Sequence, residues 1–170
     1  MSGRGAPCVL VLAGLDPSGG AGLLADAEAV RAQGARPLCV ATALTAQTDL
    51  RVLCFQPVGP SFALASARAL LAAEDVRAIK IGMLGTPQMA LAVADLLAEA
   101  ALPAVVDPVL AASSGGSLFR GSPEEARSAY EALLPGTVIT PNALEARLLL
   151  GREDPISSPS AQEEAGRTFV

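Results

Sequence analysis

The stretch CVLVLAGLDPSGGAGLLADAEAV, residues 8–30, decides the fold. Cys8 to Ala13 is an uninterrupted apolar run of strand length, Gly14 to Gly20 is glycine-rich and contains Pro17, and from Ala21 to Gln33 the residues Leu23, Ala27 and Val30 recur at helical spacing. A buried strand, a glycine loop and an amphipathic helix in that order open an α/β domain with a parallel sheet. The alternation continues downstream. Leu38–Leu44 and Arg51–Phe55 read as strands, a helix from about Ser61 to Ala73 leads to the strand Ala78–Ile81, and Thr86-Pro87 caps a helix striped by Met89, Val93, Leu96, Leu97 and Ala100. Pro103–Asp107 is a further strand, and Ser122-Pro123-Glu124-Glu125 caps a helix with Ala126, Ala129, Tyr130, Leu133 and Leu134 on one face. Thr137–Thr140 returns as a strand and Asn142–Leu150 as a helix. The expected architecture is one domain over residues 1–170, a mostly parallel sheet covered on both sides. Ser160-Ala161-Gln162-Glu163 reads as a capping box that starts a last helix, in which Ala165, Phe169 and Val170 begin an apolar face that is not completed. The chain is therefore expected to stop inside a larger fold.

At 170 residues the chain has room for one core, which at this size buries roughly 70% of the unfolded surface. Hydrophobic residues make up 51% but aromatics only 3%, so the core is aliphatic. Histidine is absent, which removes the commonest general base, the Ser-His-Asp triad and imidazole zinc sites. With a net charge of −5 and eleven Arg and one Lys scattered along the chain, nucleic acid and anionic membranes are poor partners and a small ligand is the better one. Cys8, Cys39 and Cys54 lie in apolar runs without metal or redox spacing, and are expected to be reduced core residues of a cytoplasmic protein. No uncharged apolar stretch reaches membrane-spanning length.

In an open α/β sheet ligands bind beyond the carboxyl ends of the strands. The first such segment, Gly14 to Gly22, lets backbone N–H groups approach a ligand at a helix N-terminus, or is a tight turn in which Asp16 or Ser18 caps the helix. It is not a Walker A loop, since Gly20 stands where Lys is needed, and it fits a dinucleotide fingerprint poorly. Asp26 beyond it reads as a solvated face charge. Gln47 offers an amide donor and acceptor suited to the edge of an aminopyrimidine, or is an ordinary loop residue. Met83 packs on a flat ring or in the core. Lys80, inside an apolar strand, is either a snorkelling edge residue or one partner of a buried ion pair. Asp107 ends a strand at the crevice, and Asn142 and Glu145 lie one turn apart at the next helix start. These three could support a hydrated Mg²⁺, while Asn142 and Glu145 also form a capping-box pattern, and the two roles can coexist.

Together, Ala13-Gly14-Leu15-Asp16-Pro17-Ser18-Gly19-Gly20-Ala21-Gly22 with Asp26, Thr42-Ala43-Leu44-Thr45-Ala46-Gln47, Lys80-Ile81-Gly82-Met83-Leu84, Asp107-Pro108-Val109 and Thr140-Pro141-Asn142-Ala143-Leu144-Glu145 resemble the hydroxymethylpyrimidine/phosphomethylpyrimidine kinases of thiamine biosynthesis, members of the ribokinase-like vitamin kinases. The resemblance implies a three-layer α/β/α fold and phosphorylation of 4-amino-5-hydroxymethyl-2-methylpyrimidine and its monophosphate with ATP and Mg²⁺. It implies that Gln47 binds the aminopyrimidine, that the backbone around Gly14, Asp16 and Ala21 contacts it, and that Met83 and Val109 line the pocket. Asp107, Asn142 and Glu145 would support the phosphates and Mg²⁺, with Asp107 and Glu145 nearest the metal.

The sequence departs from the family at Thr48, where Asn is usual, at Leu110 in place of Met, and at Ser113, where a Lys normally adds positive charge to the phosphate path. Family members also continue further, with a Lys-Gly-Gly-His strand and a Gly-Thr-Gly-Cys or Gly-Thr-Gly-Asp helix start that supplies the anion hole and the general base. Both are expected beyond Val170. A homodimer or a complementing C-terminal chain is the implied partner, and an open edge is expected at Thr137–Thr140. The alternative reading is a pyrimidine-binding protein without catalysis.

Overall fold

The computed structural model describes residues 6–48, 50–112, 116–152 and 154–168. In chain order the elements are β1 (Cys8–Leu15), α1 (Gly22–Ala32), β2 (Arg36–Thr48), β3 (Arg51–Pro57), α2 (Pro60–Ala73), β4 (Val76–Ile81), α3 (Pro87–Ala100), β5 (Ala104–Val106), α4 (Pro123–Glu131), β6 (Thr137–Ile139), α5 (Ala143–Leu149) and α6 (Pro159–Thr168). The six strands form one sheet in the order β3-β2-β1-β4-β5-β6. All neighbours are parallel except β2 and β3, which form an antiparallel hairpin at one edge.

From β1 the chain adds β2 and β3 on one side, then returns to lay β4, β5 and β6 on the other. The carboxyl ends of β1 and β4 thus flank a topological switch point, where an open α/β sheet leaves a crevice.

Alternate residues of the strands feed two apolar layers. Leu10, Leu12, Leu38, Val40, Ile79, Ile81 and Val106 pack on Leu64 of α2, Met89, Val93 and Leu96 of α3, Tyr130 of α4 and Leu149 of α5. On the other face, Val9, Val11, Ala13 and Ala41 meet Leu23 and Val30 of α1, and α6 packs through Ala165 against Ala146 of α5. This is the expected α/β/α layering, with unequal cover. One register row on the α1 face runs Cys39, Val11, Lys80, Val105 and Val138. Val11 is fully buried under α1, whereas Val105 is 40% and Val138 62% exposed, so the edge expected to be open at β6 is open.

Caps follow the sequence closely. Thr86 accepts from the Met89 N–H, and Ser122/Glu125 and Asn142/Glu145 both form reciprocal capping boxes. Three expectations need correction. The last helix begins at Pro159, and the Ser158 hydroxyl, not that of Ser160, accepts from the Ala161 N–H at 3.2 Å, because Pro159 takes the first helical position. Cys8 is buried but Cys39 and Cys54 are exposed, Cys54 lying on the edge strand β3. β2 runs on through Thr48, so Gln47 is a strand residue opposite Val52 rather than a loop residue; the hairpin with β3 supplies hydrogen bonds beyond the parallel part of the sheet.

Candidate functional site

At the switch point lies a cavity of about 660 Å³ whose walls include Gly14, Asp16, Ala21, Gln47, Met83, Asp107, Val109, Asn142 and Glu145. All nine residues singled out in the sequence therefore face one space, although they come from the ends of four strands and the starts of two helices. Ser113 lies outside the described residues; Thr48 lines the cavity, and Leu110 is buried beside it.

The glycine loop is organised from within by Asp16. This carboxylate, 5% exposed, accepts from the Ser18 N–H at 2.8 Å, the Ser18 hydroxyl at 2.7 Å and the Ala21 N–H at 3.1 Å. Burial pushes its carboxyl up, and the hydrogen bonds from Ser18, the Gln47 side chain and Ala21 outweigh that, so its pKa lies below the ordinary range. The carboxylate ties the loop together and does not cap α1, whose N-cap residue Ala21 has no side-chain bond. Gly22, the first residue of α1, is instead bridged to Leu15 of β1. Closure of the loop depends on Gly22, with φ +59°, because a Cβ there would lie 2.2 Å from the Gly14 carbonyl oxygen.

Opposite the loop is an apolar wall. Met83 packs with Ala43, Phe55 and Leu118, and Val109, Val52 and Ala112 close around them. Met83 approaches Gly14 so closely that a Cβ on Gly14 would sit 2.7 Å from its Sδ. The Thr42 hydroxyl donates to the Met83 carbonyl, and Thr45 donates to the Leu15 carbonyl at 2.9 Å, locking β2 to both sides of the crevice. The segment after β5 is held to the hairpin by Arg120, whose guanidinium lies 4.9 Å over the Phe55 ring.

The third wall is ionic. Lys80 Nζ lies 2.7 Å from Asp26 Oδ2 and 4.0 Å from Asp107 Oδ2. This resolves Lys80 as a half-buried ion pair and corrects Asp26, which is not a free solvated charge: where the cover of α1 ends, the lysine stem lies along the sheet and its head returns to that helix. Burial pushes the Asp107 carboxyl up, Lys80 pulls it down and Asp26 adds to the rise; the net direction is upward. Glu145 is 5% exposed, and its Oε2 accepts from the Asn142 N–H at 2.9 Å while the Asn142 Oδ1 accepts from the Glu145 N–H at the same distance. Burial raises its pKa, the Asn142 backbone bond opposes this, Asp107 adds to it and a Leu110 backbone bond opposes it, with a net upward shift.

The Lys80 to Asp26 and Thr45 to Leu15 contacts were not readable in advance. A lysine within an apolar strand was the only signal for the first, and the second had none.

Among the described cavity residues four carboxylates, Asp16, Asp26, Asp107 and Glu145, face one cation, Lys80. The arrangement joins an apolar slot for a flat ring, an amide on one side of it, and an acidic end beside a helix N-terminus.

Residues 16–170 match the family model described as phosphomethylpyrimidine kinase. A hydroxymethylpyrimidine/phosphomethylpyrimidine kinase of Rhizobium meliloti is 40% identical over 144 residues, covering 84% of this chain and 53% of the relative. The crystal structure of a phosphomethylpyrimidine kinase from Clostridium difficile superposes with a TM-score of 0.83 at 31% identity, over 96% of this chain and 70% of that one. An ADP complex of Bacillus subtilis pyridoxal kinase superposes at 0.82 with 28% identity, over 96% and 60% of the two chains. The chain thus spans about half the length of the curated relatives it matches.

Proposed function

The chain belongs to the phosphomethylpyrimidine kinase family, and from that premise we propose that its cavity binds 4-amino-5-hydroxymethyl-2-methylpyrimidine, and its monophosphate, for ATP-dependent phosphoryl transfer in thiamine biosynthesis. The observation that carries this reading is the meeting of Gln47, Met83 and Gly14 at one end of the cavity with Asp107 at the other.

In this reading the pyrimidine lies against the cavity wall formed where Met83 packs on the Gly14 backbone, with Val109 against its edge. The Asp16 carboxylate draws hydrogen-bond donation from Gln47. That leaves the Gln47 carbonyl oxygen to accept from an exocyclic amino group, a polarity that favours an aminopyrimidine over a ring offering only acceptors there. The hydroxymethyl arm then points to the acidic end, toward Asp107.

Four carboxylates against one lysine would repel a polyphosphate arriving alone, and this donor set suits a hydrated Mg²⁺ that keeps most of its waters and takes one or two carboxylates. Asp107, with its side chain 39% exposed, is the carboxylate best placed to hold it. Glu145, committed to the capping box with Asn142, would act from behind. When bound, the ion would neutralise charge on the transferring phosphate.

A second reading is favoured by the open β6 edge, with Val138 exposed: the chain supplies the pyrimidine-binding part of an enzyme completed by another polypeptide that extends the sheet. A coupled assay of ATP-dependent phosphorylation by the 170-residue chain alone separates the two readings, since turnover without a second chain rules out the need for one.

Calorimetric titration of the pyrimidine into the parent and Gln47→Ala tests the site itself. Loss of one hydrogen bond to a buried amino group should weaken binding about tenfold. Equal affinity of the two proteins overturns the assignment.

A further inference from the structure

Arg120, an exposed residue, reaches two parts of the apolar wall at once. Its main-chain N–H donates to the Gly85 carbonyl at 2.8 Å. Its guanidinium donates to the Phe55 carbonyl, 65 positions away, and lies over the Phe55 ring with Cζ 4.9 Å from the centroid. At that distance a cation is attracted to the ring face.

Among the described residues neither Arg120 nor Phe55 lines the ligand cavity, but Phe55 packs with Met83 and Leu118, which do. Gly85 sits at the same junction. With φ +78°, a Cβ on it would lie 3.3 Å from Phe55 Cε2 and 3.9 Å from Met83 Cε. Arg120 therefore holds both the ring that backs the wall and the turn that carries Met83.

The segment that leads to Arg120 contributes Val109, Ala112 and Leu118 to the cavity. It folds on itself: the Leu118 N–H donates to the Leu110 carbonyl at 2.9 Å and the Ala112 N–H to the Gly116 carbonyl at 2.8 Å. Those bonds are internal to the segment. Against the β2–β3 hairpin it is set by the packing of Leu118 with Phe55, by the approach of Gly116 to Val52, and by Arg120. Apolar packing is non-directional and tolerates sliding, whereas a planar guanidinium with a ring beneath it and a carbonyl acceptor fixes a register.

We propose that Arg120 is a positioning residue for the ring-binding wall: acting through Phe55, it sets residues 107–112 and 116–121 against the hairpin, so that Met83 and Val109 are in place before a ligand arrives. A ring that meets a formed wall does not have to order it, and the saving appears as affinity.

Only the ligand measurement rests on the reading of the cavity as a pyrimidine site; amide hydrogen exchange in the ligand-free protein tests the clamp itself. Arg120→Met removes the guanidinium and keeps the main-chain bond to Gly85. Protection of the amides of residues 118 and 120, the second of which crosses to Gly85, should fall about tenfold, while protection in β1 and β4 is unchanged. Unchanged protection at 118 and 120, or the same loss throughout the sheet, overturns the proposal.

In calorimetric titrations, the neutral pyrimidine and its monophosphate should both bind Arg120→Met about tenfold more weakly than the parent. Equal losses are the mark of positioning. A residue acting by its charge alone would weaken the monophosphate and spare the neutral pyrimidine, and that result overturns the proposal, as does parental affinity for both. If the parent binds neither, the pyrimidine reading fails and the exchange result alone decides the clamp.

Discussion

Lys80 Nζ stands 2.7 Å from Asp26 Oδ2, so the chain's single lysine ties the carboxyl end of β4 to α1 at the mouth of the ligand cavity. The same ammonium is 4.0 Å from Asp107 on the next strand. Its neutralising charge lets carboxylates from two elements converge on one cavity. Lys80→Met should cost about 3 kcal/mol because it leaves both carboxylates half-buried without their cation. Asp26→Asn should cost less, about 1 kcal/mol, since Lys80 still has Asp107. In a urea-unfolding double-mutant cycle the two changes should couple by about 1–2 kcal/mol; strict additivity would show that the pair contributes nothing.

The close approach of Gly14 and Met83 makes a second prediction. A methyl group added in Gly14→Ala must displace the Met83 sulfur, at a cost of about 1–2 kcal/mol in stability. Because both residues line the cavity and the displaced side chain changes the wall the ring rests on, pyrimidine affinity should fall further than stability does. In a Met83→Ala background the Gly14→Ala change should cost little further stability, because no sulfur remains to be displaced. A Gly14→Ala protein with parental Tm and parental affinity would contradict the geometry.

The pH dependence has two limbs of opposite sign. Asp16 is shifted down, so its stabilising contribution is complete above the ordinary carboxylate pKa and is lost as pH falls through its lowered folded value. Asp107 and Glu145 are shifted up, so they favour the folded state in acid and that contribution is lost as pH rises through their raised folded values, above the ordinary range. Urea midpoints measured from acid to neutral pH should show Asp16→Asn destabilised at neutral pH, with the gap to the parent closing in acid. A gap that stays constant with pH would mean that the Asp16 charge is not what organises the loop.

The residues that were legible in the sequence are those whose partners are near in the chain. Thr86, Ser122 and Asn142 cap helices as their spacing predicts, because each bond closes within three residues. The glycine loop and its place between strand and helix were equally plain. Where a neighbouring residue competes for the same role, local reading slipped: Ser160 looked like a cap, but Pro159 moved the helix start and gave the cap to Ser158. Gln47 looked like a loop residue because nothing in its own segment reveals that Val52 will pair with it.

Lys80 illustrates the division. The sequence by itself determined the order of strands and helices, the caps, and the set of residues at the carboxyl ends of the strands, since all of these follow from periodicity and short-range hydrogen bonding. Only the tertiary structure decided that a lysine in an apolar strand reaches an aspartate 54 positions away and that Met83 lies against Gly14. Those relationships depend on which face of the sheet α1 covers and where its cover ends, and that is set by packing between segments far apart in the chain.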